Sequence, residues 1–177
     1  MMRFCAQLIR LSLISVAIVI FAFLPLSSKA DGPAVGVQMD ISKAGPRAVE
    51  NETERRILSD YRLAWTNIAQ AMESNTPAPL QALFVGPAKK WLDDSVSSQQ
   101  KSGLSSKYLN QNHRLQAVFY SPEGDVIELH DTAQYEMQVL DDGKVIHDDN
   151  VTHHYVVLMT PGADRWVIRQ LVAVPQF

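Results

Sequence analysis

Asp131 is the one acid on an otherwise apolar strand face. Ile127, Leu129, Ala133, Tyr135, Met137 and Val139 alternate with polar residues around it. A lone carboxylate in that setting is either a structural acid satisfied by hydrogen bonds or an acid held beside a proton-transfer partner. His153 and His154 on the following strand are the histidines within register of it. A two-residue turn at Asp142-Gly143 pairs Asp131 with His154. Grouping His153, Tyr155, Val157 and Met159 with Trp166, Ile168, Gln170 and Val172 on one buried face requires an extra residue. The polar break Asp148-Asp149-Asn150 is the expected place for that bulge. With it, Asp131 faces Tyr155 and lies diagonal to His153. Asp131, His153 and His154 are thus the candidate catalytic residues, a carboxylate with a histidine as general base. The structural role for Asp131 is preferred, because no other motif names a reaction.

Other chemistries lack their residues. The neighbours His153 and His154 point to opposite faces of a strand and cannot share one ion. His147-Asp148-Asp149 offers donors beside a turn, but such acids are usually solvated, and neither a metal nor a cofactor is expected. The sequence contains no Gly-x-Ser-x-Gly, no glycine-rich phosphate loop, no His-Glu-x-x-His and no cysteine pair. His113 carries no pattern that points to chemistry.

The elements that must position these residues come after an N-terminal segment that does not belong to the fold. Arg3 and Arg10 precede an apolar run at residues 11–26, and Ser28-Lys29-Ala30 lies just beyond it. Residues 1–30 therefore read as a secretory signal peptide, or as an N-terminal anchor if left uncleaved. The expected location is exported, a periplasm or lumen, with the membrane touched only through residues 11–26. Removing residues 1–30 leaves 13 basic residues against 19 acidic ones, a net charge of −6 in place of −3, and takes away the single cysteine, Cys5. Disulfides and thiolate chemistry are then excluded, and so is nucleic acid as a partner. The remaining length makes one domain.

Residues 31–47, rich in Gly, Pro and Ala, read as a flexible tether, and residues 48–177 as the domain. Ile57, Tyr61, Ala64, Trp65, Ile68, Ala71 and Met72 form the apolar stripe of a helix from about residue 47 to 73, stopped at Asn75-Thr76-Pro77. A short helix carries Leu80, Leu83 and Phe84. A third runs from Pro87 through Trp91, Leu92 and Val96 to a Gly103 cap. After Tyr108 the period becomes two. Leu115, Ala117 and Phe119 mark a first strand, a turn at residues 121–125 leads to the strand of Asp131, and two further strands complete the sheet. Helices ahead of a four-stranded antiparallel meander make an α+β fold.

This pattern resembles the NTF2-like (cystatin-like) superfamily of helices packed on a curved sheet that forms a cone. Within it, the chain is most similar to the intermembrane-space domain of cyanobacterial and plastid division proteins. The matching residues are Leu83-Phe84-x-Gly86-Pro87-Ala88 leading to Trp91, Gly103-x4-Tyr108, Ile127-Glu128-x-x-Asp131-x-Ala133, Tyr155 and Trp166-x-Ile168. The resemblance implies a non-catalytic domain that docks a partner. It also allows a small-molecule-binding cone, lined by Trp65, Tyr135, Tyr155, Trp166 and Gln170, or a lyase or isomerase using Asp131 with a histidine. On the outer sheet face, Val156, Leu158, Val167 and Leu171 are more apolar than water favours, and a protein partner or a second copy is the expected cover.

Overall fold

The computed structural model describes residues 35–177. The signal or anchor segment, Cys5 and the start of the expected tether lie outside the described residues. The helical stripe of the sequence closes as α1, Asn51–Ser74. Glu52 and Glu54 occupy its first turn, where the helix dipole favours acids, and Asn75 ends it in the left-handed conformation at φ 52°. A 3-10 helix, Ala78–Ala82, and α2, Gly86–Ser102, come next. Pro87 lies in the first turn of α2, and Gly103 closes the helix at φ 71°.

The sheet has five strands rather than four, and it is mixed. Gly36–Asp40, inside the expected tether, forms β1. It runs parallel to β2, Leu104–Tyr120, as its neighbour at the sheet edge. Val35 and Val37 are buried, which gives this stretch apolar contacts that its Gly and Pro content did not advertise. The meander continues through β3, Ile127–Asp141, β4, Lys144–Pro161, and β5, Trp166–Val174, all antiparallel. Asp142 and Gly143 turn the β3–β4 hairpin, both at positive φ. Both helices pack on one face of the sheet. There Ile57, Tyr61, Leu92, Leu129, Val157 and Ile168 are fully or almost fully buried.

One-residue register shifts decide which side chains join that core. One on β2 falls between Leu109 and Asn112, and a second at Val118. The shift on β4 leaves Ile146 unpaired, and that on β5 leaves Arg169 unpaired. Each reverses inside and outside for the remainder of its strand. The β4 bulge therefore lies beside the hairpin turn and not at Asp148-Asp149-Asn150. Its consequence for Asp131, which faces Tyr155, is the expected one. On β2 and β5, side chains beyond the shift land on the other face from the one the plain alternation assigns. Phe119 pairs with Glu128 and is 38% exposed, while Tyr120 takes the buried position opposite Ile127. On β5, Gln170 and Val172 turn outward and Leu171 turns in.

Candidate functional site

Asp131 lies on the helix-covered face of β3, between Leu115 on β2 and Tyr155 on β4. Its Oδ2 accepts a hydrogen bond from the Tyr61 hydroxyl at 2.7 Å and lies 2.8 Å from His113 Nδ1. α1 delivers Tyr61 because that residue falls on the apolar stripe. β2 delivers His113 because that residue is two positions before Leu115, on the same face. Asp131, His113 and Tyr61 are all fully buried. The Trp65 ring covers His113 at 4.3 Å between centroids, and Tyr61 meets His113 edge-on at 5.7 Å. Asp131 Oδ1, His113 Nε2 and Trp65 Nε1 are buried without a hydrogen-bond partner.

The aromatic layer continues toward one end of the sheet. Trp65 approaches Tyr155 and Tyr135 at 5.5 and 6.1 Å, the hydroxyls of Tyr135 and Tyr155 are 3.4 Å apart, and Tyr108 packs on Tyr135 at 5.1 Å. Burial pushes the phenols of Tyr61, Tyr108, Tyr135 and Tyr155 up, and the Asp131 carboxylate adds to this at Tyr61. Proton transfer to a substrate requires contact with it, and Asp131, His113 and Tyr61 have no exposed surface, whereas Tyr135 lines an open pocket of about 340 Å³ with Asn110, Asn112 and Asn150.

Neither histidine of the expected pair touches Asp131. His153 shares its face but pairs with Ala133 and is exposed, its ring 5.9 Å from those of Tyr135 and Tyr155. His154 lies on the outer face, with Nδ1 3.2 Å from Thr132 Oγ1 and its ring edge-on to Phe177. His113 is the partner instead. The signal for it was present: the Leu115, Ala117 alternation extends back to position 113, once the strand is allowed to begin before it.

Of the residues expected to line a cavity, Trp65, Tyr135 and Tyr155 pack on one another. Trp65, Tyr135, Tyr155 and Trp166 are each at most 7% exposed. Trp166 sits apart from the others, near Tyr120, with its backbone amide donating to Asp60 on α1 at 2.8 Å. Gln170 lies outside and lines a groove of about 290 Å³ between α2 and β5, together with Pro87, Trp91, Leu171, Val172 and Ala173. Trp91 is 46% exposed there and Val172 42%. Of the expected partner face, Val156, Leu158 and Val167 are half-buried on the outer side of the sheet, whereas Leu171 belongs to the core. Phe177 folds back onto this side and stacks on His130 at 4.3 Å. Among the described residues, no group of three or more His, Cys, Asp or Glu stands close enough to hold a metal ion, and no helix is long and apolar enough to cross a membrane.

No protein-family model matches the chain, and no curated protein matches it. A solved structure does: the intermembrane space region of the chloroplast protein ARC6. It superposes with a TM-score of 0.56 and 16% identity, over 73% of this chain and 98% of that one. At that identity the likeness establishes the fold. A designed β-sheet protein aligns over 68% of this chain with a TM-score of 0.35.

Proposed function

We propose that this chain is an exported, non-catalytic domain of the NTF2-like kind that docks a protein partner in the cell envelope. The observation that carries the reading is the groove between α2 and β5, where Trp91 and Val172 stand in water on its walls. Exposed aromatic and aliphatic residues around a concave surface are the usual anchors of a protein interface. The groove adjoins the outer face of Val156, Leu158 and Val167, so one partner can cover both. The fold shared with a domain from an intermembrane space, and the signal-like residues 1–30, favour an envelope location, a periplasm or lumen, with residues 11–26 as anchor where they are retained. A lyase, isomerase or ligand-binding role for Asp131 has no such support, since the acid is sealed and its histidine is buried with it.

Photo-crosslinking side chains at positions 91, 172 and 167 test the proposal, with position 101 on exposed α2 as the control. In the native envelope the first three should yield one discrete adduct that the control does not. An adduct with a second copy would make the partner a homodimer. Equal labelling at all four positions, or none, would overturn the proposal.

A further inference from the structure

β4 extends well beyond its last partner on one side. Pairing with β5 begins only at His154, opposite Val174. Residues 144–153 therefore pair with β3 alone, and among the described residues no strand lies along their other edge. Such an edge presents a row of backbone donors and acceptors ready to template another strand. Val145 and Ile146 at its turn end are 43% and 55% exposed. Beyond Ile146 the strand is regular, so residues 147–153 offer an unbroken pairing edge.

The charge of this end selects the occupant. Asp148 and Asp149 are exposed on the edge strand itself, and Glu136, Asp141 and Asp142 stand nearby on β3 and its turn, against Lys144. A second copy is disfavoured. If residues 144–153 paired with themselves antiparallel over their whole length, Asp148 of one copy would oppose Asp149 of the other, like charges directly across from each other. In the register that pairs residues 147–153 with themselves, centred on Asn150, Asp149 of one copy lies diagonal to Asp149 of the other, and the seam still brings four carboxylates together.

We infer that the open edge of β4 at residues 147–153 is a strand-addition site for an extended, basic segment of another protein. Main-chain hydrogen bonds supply the affinity, and Asp148 and Asp149, whose side chains alternate to the two faces, select lysine or arginine on the incoming strand. The site shares no residue with the Trp91–Val172 groove, so either can fail without the other.

A ten-residue valine–threonine peptide carrying two adjacent lysines, one for each face of the strand, provides the test when added to the full chain, with amide hydrogen exchange read residue by residue. Protection should rise at the alternate amides of residues 147–153 that face the open edge, the others being bonded to β3 already. A glutamate-for-lysine peptide, and one with proline at its centre, should give no such protection. The variant carrying Asp148→Lys and Asp149→Lys should bind the basic peptide about tenfold more weakly, as two attractive cross-strand pairs become repulsive, and Val172→Ser should bind it unchanged. Protection spread over the acidic surface but absent from β4 would overturn the inference. So would equal binding of the proline peptide, or a wild-type dimer in sedimentation with the same amides protected.

Discussion

Two carboxylate–histidine pairs lie on opposite faces of the same sheet, and only one is buried. On the inner face Asp131 and His113 meet at 2.8 Å with no exposure, sealed by Tyr61 and Trp65. On the outer face Glu128 and His130, at the start of the same strand, are 3.4 Å apart and 34% and 27% exposed. The chemistry is alike and the surroundings are opposite. Water screens the outer pair and competes for its hydrogen bonds, so it contributes little. The inner pair has lost that solvent. Its partners are committed to one another, and removing one leaves the rest buried and unmatched. Residue types that suggest catalysis thus say little until their access to solvent is known.

Alkali should separate the two faces most severely. The buried phenols of Tyr61, Tyr108, Tyr135 and Tyr155 lie above their ordinary value of 10.0 in the folded chain. Below pH 10 both states keep these protons and the phenols do not oppose folding. Above it the unfolded chain releases them and the folded chain does not, so stability falls with rising pH. Each such phenol removes up to about 1.4 kcal/mol per pH unit. Phenolate absorbance should therefore appear together with the loss of circular dichroism above about pH 10, in one cooperative step. A gradual rise of all the phenolates while the fold persists would show that the inner layer is wet.

Next in size, Asp131→Ala should cost about 3–5 kcal/mol in urea denaturation, because it strips Tyr61 and His113 of their shared acceptor. A variant as stable as wild type would mean the acid is strained and kept for some other purpose. Leu171→Ala should cost about 3 kcal/mol, while its neighbour Gln170→Ala should stay within about 0.5 kcal/mol. The reverse order would return the register to plain alternation and remove the Arg169 bulge. The smallest effect is expected at the outer pair: Glu128→Gln should change stability by less than about 0.5 kcal/mol. A larger loss would mean that the outer face is covered in the protein as it exists.

Much of the architecture was legible from local pattern. The stripe from Ile57 to Met72 predicts α1 because a helix repeats every 3.6 residues whatever surrounds it. Asp142-Gly143 predicts its hairpin because both residues tolerate positive φ. The strand from Gly36 was hidden: its alternation of Val37 and Met39 with Gln38 and Asp40 is only five residues long and lies among Gly and Pro, and it pairs because β2 offers an edge. The candidate site was half legible. Asp131 stood out as an acid on an apolar face, but its partners come from positions 70 and 18 residues away in sequence.

Local pattern was enough to say which residues share a face on β3, from Ile127 through Asp131 to Met137, since that strand holds its alternation without interruption. Where its neighbours break step was settled by the packed fold. Val118, Ile146 and Arg169 are the extra residues, and through them Tyr120 and Leu171 enter the core while Phe119 and Gln170 leave it. A bulge answers to the strand across from it and to the helices above it. No local propensity carries that demand, so neither the turn lengths nor the alternation could place these breaks.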